Sequence, residues 1–183
     1  MSEAHAWLKQ STSAAHQKVD AAFSRFALDD ARSYRSFLIA QATALFPIEA
    51  WLGERAGAVL ADWPERARAA ALEADLARLE ASAPAGAAFA ASDDPAAIAG
   101  VLYVLEGSRI GGAILAKRVP DRLPKAYLAS GCDAQSWRQV VSRLDDVIRD
   151  QGTRTASAEA ALAVFARFEQ AARSGAPAED RAG

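Results

Sequence analysis

The chain has 183 residues, a formal net charge of −2 and one cysteine, Cys132. That length suits a single domain with a sizeable core, and the near-balanced charge gives no footprint for nucleic acid or an anionic membrane surface. A lone cysteine excludes an internal disulfide and fits a reducing cytoplasm. No apolar run approaches the roughly 18 residues of a membrane span, and Met1-Ser2-Glu3-Ala4-His5 lacks the basic stretch and apolar core of a signal peptide.

Alanine and leucine are abundant, β-branched residues are sparse, and no segment alternates as a strand. The first helix is expected from Glu3 to Phe23, with Trp7, Leu8, Ala15, Val19 and Phe23 near helical spacing. A second carries Tyr34, Phe37, Leu38, Gln41, Leu45, Ile48 and Leu52, ends near Gly53 and is expected to kink at Pro47. A short piece covers 56–61. Asp62-Trp63-Pro64 opens a helix through Leu72, Leu76 and Leu79 to about Ser82. After the loop Ala83-Pro84-Ala85-Gly86, Asp93-Asp94-Pro95 starts a long apolar helix that stops by Pro120. Residues 121–131 read as an irregular connector. Asp133 caps a helix carrying Trp137, Val140, Leu144 and Ile148 and closed by Gly152. The last helix is expected from Thr155 or Ser157, through Leu162, Phe165 and Phe168, to Gly175. The sum is an all-α, single-domain helical bundle over 1–175 with 176–183 as a disordered tail.

Two segments carry chemistry. In the first helix, Lys9 stands about two turns before His16, and Asp20 one turn after it. A carboxylate at that spacing can accept one imidazole N–H and leave the other nitrogen a better metal ligand; a partly buried histidine with solvated neighbours fits the same pattern. His5, the other histidine, reads as a surface residue. The second segment is Gly107-Ser108-Arg109-Ile110-Gly111-Gly112, inside the apolar helix. Each glycine there costs about 1 kcal/mol relative to alanine, so something must need backbone without Cβ atoms. Either a flat ligand on the face shared by Gly107 and Gly111 or a close helix–helix crossing accounts for it.

Taken together the two segments point to haem. One histidine cannot hold a bare catalytic metal, which needs three or more protein ligands, but it can hold an iron whose porphyrin supplies four. A flat macrocycle suits a glycine face, and Lys9 suits a propionate at its edge.

The chain resembles the haem oxygenase family, in particular its small bacterial members. The resemblance is carried by Leu8-Lys9-x-x-Thr12-x-x-x-His16-x-x-x-Asp20 and by Tyr103-Val104-x-Glu106-Gly107-Ser108-x-Ile110-Gly111-Gly112-x-x-Leu115. Asp30-x-x-x-Tyr34-x-x-Phe37-Leu38 is similar to stretches in the members associated with bacterial phytochromes. The resemblance implies that haem b, substrate and cofactor at once, is sandwiched between the first helix and a glycine-kinked distal helix. It implies His16 as the proximal iron ligand, Asp20 as the acid that orients it, and Lys9 and Tyr103 near the propionates. Gly107, Gly111 and Gly112 become the distal glycines, and Phe168 a pocket-lining residue. Ser108 stands where many members have an aspartate that organises water beside bound oxygen, which makes ordered water held by Ser108 and backbone carbonyls the expected proton route. The implied reaction is oxidation of haem by O₂ and external electrons to biliverdin, Fe²⁺ and CO. The electrons would come from a ferredoxin, a flavoprotein reductase or ascorbate, and a bacteriophytochrome is a candidate recipient of the pigment. The alternatives are a haem carrier or sensor on the same fold that does not degrade its ligand, and a helical interaction protein whose glycines serve packing.

Overall fold

The computed structural model describes residues 2–131 and 133–175. The predicted tail and Cys132 lie outside them. Among the described residues the order is α1 (Glu3–Phe23), α2 (Ala31–Gly53), a 3₁₀ turn (Ala56–Ala58), α3 (Trp63–Arg66), α4 (Ala69–Arg78), α5 (Pro95–Ala116), α6 (Ala126–Ala129), α7 (Ala134–Val147) and α8 (Gln151–Gly175), with no strand. Side-chain caps explain four of the helix starts. Ser2, Asp30, Asp94 and Asp133 each accept a backbone N–H in the first turn of α1, α2, α5 and α7 respectively, and Pro95 follows its cap at the first helical position.

Several boundaries depart from the sequence expectation, each for a reason distant in the chain. The single helix expected over 62–82 is two. The buried Glu49 carboxylate accepts from the N–H groups of Arg68 (2.9 and 3.0 Å) and Ala69 (2.8 Å), so it starts α4 afresh after an extended Ala67. In the expected connector 121–131, the buried Asp75 carboxylate takes the N–H groups of Ala126 and Tyr127 and starts α6. Between α7 and α8 the chain turns earlier than Gly152. Asp150 accepts from the Thr153 N–H at 2.8 Å, so α8 begins at Gln151 and Gly152 lies within it. The helix assignment of α2 runs unbroken through Pro47.

α8 is the central element, packed on α1, α2 and α5. It crosses α5 at Gly100, where an added Cβ would come within 3.0 Å of three backbone atoms of Ser157. The core is built on Leu8, Phe37, Leu38, Leu45, Ile48, Leu102, Leu105, Val164 and Phe168. Contrary to the sequence reading, α2 and α5 are long and apolar enough to cross a membrane by length and composition; over half of each apolar window is buried against the other helices, the pattern of a bundle's core helix.

Candidate functional site

His16 projects from α1 with its side chain 62% exposed and Nδ1 3.0 Å from Asp20 Oδ2. The pairing makes Nδ1 the donor and leaves Nε2 to ligate. The ring of Phe165 on α8 stands edge-on to the imidazole, centroids 5.8 Å apart. No group of three or more His, Cys, Asp or Glu among the described residues is placed to hold a metal ion. A single oriented imidazole is the donor set that suits an iron already held by a macrocycle.

On α5, Tyr103, Gly107, Ile110, Gly111 and Ile114 share one side of the helix. Its opposite side is buried through Leu102, Leu105, Arg109 and Gly112. Ile110 and Ile114 are 47% and 62% exposed, two of the three exposed large apolar side chains among the described residues. Gly111, between them, would meet nothing within 4 Å if given a Cβ, and Gly107 only the Trp137 indole at 3.7 Å. The close helix crossing is therefore at Gly100, not in the glycine run. At 107 and 111 no neighbouring backbone requires glycine, and the stripe is apolar and open at Gly111. Gly112 is turned away and packs on α6, its Cβ direction 3.4 Å from the Leu128 carbonyl oxygen, an ordinary contact distance.

The two halves meet at Tyr103. Its ring stands 6.0 Å from the His5 ring of α1, and burial pushes the phenol's pKa up, with the buried Thr12 of α1 pulling it the other way. Thr12 is one turn before His16, and Tyr103 one turn before Gly107. His5 is not a free surface residue: it is half-buried, 6.0 Å from the Tyr103 ring and 5.4 Å from Trp137.

Behind the stripe lies a polar network that the sequence reading did not assign. Ser108 Oγ donates to the Leu105 carbonyl (2.6 Å) and accepts from the buried Arg68 guanidinium (2.8 Å), which also donates to Leu105 O and lies over the Tyr127 ring. The Ser108 proton is thus committed to backbone, and Arg68 is the charged donor at this point. Glu106, 1% exposed, accepts from Arg109 Nε (2.7 Å) and Arg66 (2.9 Å). Arg66 also reaches Asp62 and Gln139, while Arg109 donates to the carbonyls of Ser130 and Arg66. Arg66 and Arg68 are 38 or more residues from Glu106 and Ser108, so no local spacing exposes the pairing.

A family profile described as "Heme oxygenase" matches residues 2–174. The chain belongs to the haem oxygenase family. A curated relative from Xanthomonas campestris pv. campestris, named heme oxygenase, is 32% identical over 112 residues, 58% of this chain and 67% of that one. The crystal structure of the NO- and CO-bound heme oxygenase from Neisseria meningitidis superposes with a TM-score of 0.78 at 20% identity, covering 98% of this chain and 94% of that one. The all-α fold is thus the haem oxygenase fold, and haem is the ligand against which the site is to be read.

Among the residues expected at the haem oxygenase site, His16 and Asp20 are paired, Tyr103 meets His5 of α1, Gly111 lies open, Gly107 lies against the Trp137 indole, and Ser108 is tied to Arg68 beside them. Lys9 is exposed on α1. Phe168 is buried in the core at 5% exposure; the ring against His16 is Phe165, which carried no signal distinguishing it from other apolar positions of α8. An apolar groove of ≈ 560 Å³ between α2 and residues 83–89 contains no titratable side chain and shares no residue with this site.

Proposed function

We propose that the chain binds one haem b through His16 and converts it, with O₂ and external electrons, to biliverdin, Fe²⁺ and CO. When bound, haem supplies both the iron at which O₂ reacts and the ring that is oxidised. The protein's part follows from its own residues. Asp20 fixes the His16 tautomer and ring orientation. Gly111 lets the α5 backbone approach a planar ring closely, Gly107 lies at the margin of that platform under the Trp137 indole, and Ile110 and Ile114 exclude water from it. Arg68 holds Ser108 and offers the charged N–H groups that can order water beside the stripe. The nearest carboxylate in sequence, Glu106, has both oxygens engaged, one on each of two guanidiniums. Lys9 and Tyr103 are the proposed propionate partners; Gly112 supports the stripe from behind, and Phe168 supports the α8 wall that Phe165 completes.

The observation that carries this reading is Gly111: an exposed glycine in mid-helix, flanked by exposed isoleucines, with no protein atom in the way of a Cβ. Electrons are proposed to come from a ferredoxin, a flavoprotein reductase or ascorbate. A bacteriophytochrome as recipient rests on the Asp30-to-Leu38 resemblance alone, and a cytoplasmic setting on the single cysteine. The test is a haemin titration followed by ascorbate in air and chromatography of the pigment. One haem per chain and conversion of the Soret band to a biliverdin spectrum are expected. A Soret band that survives repeated equivalents of reductant overturns the enzymatic reading.

A further inference from the structure

The glycine stripe is open at one end and closed at the other. At Gly111 the Cβ direction meets nothing within 4 Å, whereas at Gly107, one turn earlier on the same side, it meets the six-membered ring of Trp137 at 3.7 and 3.9 Å. A flat ring lying on this side of α5 can extend past Gly111 but stops at the indole.

The indole is held in place rather than draped over the surface. Asp133 caps α7 by accepting from Ser136 N–H at 2.7 Å, which puts Trp137 in the first turn. The His5 imidazole meets the indole edge-to-face, centroids 5.4 Å apart at 82°, and Tyr103 lies at 6.3 Å. Two residues further along α7, Gln139 accepts from Arg66 at 3.0 Å, and Arg66 holds Glu106, the residue before Gly107. The wall and the platform it closes are therefore tied to one guanidinium.

We infer that Trp137 is a specificity-determining residue for the haem reaction. Its indole abuts one edge of the macrocycle and sets how the ring is seated in its own plane beneath α5. Four meso carbons are chemically similar, so the one cleaved is decided by which edge is placed at the reacting position. This inference rests on the proposed binding of haem to the glycine stripe, and it assigns to one side chain of α7 the choice of biliverdin isomer.

The experiment compares the wild-type chain with Trp137→Ala and Trp137→Phe. Haemin titration and the Soret spectrum come first: absence of a histidine-ligated spectrum in the wild type rejects the haem reading itself. With that spectrum present, two measurements read the seating. One is the biliverdin isomer ratio by chromatography. The other, independent of turnover, is the pattern of hyperfine-shifted haem methyl resonances in the cyanide-bound ferric form. Removing the wall is expected to change the isomer ratio by about tenfold, the order of one lost apolar contact, and to move the methyl pattern, with His16 still ligating. Trp137→Phe, which keeps an aromatic ring against His5 and so protects the fold, is expected to shift both in the same direction by less. An isomer ratio and methyl pattern unchanged from wild type in both variants overturn the inference.

Discussion

His16 stands 62% exposed on α1, with Asp20 as its partner and Phe165 at its edge. A solvated imidazole in that setting has no packing duty, so its removal is expected to cost ligand and not fold. His16→Ala should retain its helical circular dichroism and lose the histidine-ligated Soret spectrum; an unaltered spectrum would mean that another group holds the iron. His5 has the opposite character. Burial against Tyr103 and Trp137, and then the Lys9 charge, hold its pKa below the ordinary value, with Asp145 pulling the other way. The fold thus favours neutral His5. Its contribution to stability is fully present above the unfolded pKa of about 6.5 and is lost as pH falls through the lower folded value. Melting temperature should fall as pH drops below about 6.5, and His5→Gln should flatten that part of the profile. The histidine–carboxylate pair was legible in the sequence because its parts are four residues apart. The ring cluster was not, because His5, Tyr103 and Trp137 come from three helices.

At the scale of the element, α5 does two jobs with glycine, and the structure separates them. Gly100 admits the Ser157 backbone of α8, and Gly111 admits nothing that the chain itself supplies. Gly100→Ala forces the central crossing apart and is expected to cost about 3 kcal/mol or more, a drop of about 6–12 °C in melting temperature for a domain of this size. Gly111→Ala should do the reverse in the haem-free protein. It adds helix propensity worth up to about 1 kcal/mol at no steric cost, while weakening haem binding by placing a methyl group on the platform. Calorimetry of the two variants, with haem titrations alongside, checks both signs; a destabilised Gly111→Ala would indicate that the glycine serves packing after all. Sequence pattern raised both explanations for glycine in this helix. It had no means of assigning them to positions, since that depends on where α8 lies. The split between α3 and α4 has the same origin: Glu49, from a different helix, supplies the cap that divides them.

For the whole molecule, α8 packs on α1, α2 and α5, and the rings of His5 and Tyr103 bring α1 against α5. A ligand that bridges α1 and α5 should therefore stabilise the entire bundle cooperatively. At a free concentration near 100 times its dissociation constant, haem is expected to add about 2.7 kcal/mol, seen as a rise of about 5–11 °C in the melting transition. His16→Ala should abolish most of that rise, and a transition indifferent to haem would contradict binding between the two helices.

What the sequence determined by itself was everything written in short range: the helical class, the capped starts at Asp94 and Asp133, the His16–Asp20 pair and the glycine run with its family likeness. Tertiary structure decided which glycine meets a helix and which is left open, that Phe165 and not Phe168 adjoins the imidazole, and that Arg68 serves Ser108. The physical reason is one of range. Periodicity and capping are set by neighbours within a turn or two, whereas burial of a charge or removal of a Cβ is compelled only by the element that chain folding brings alongside.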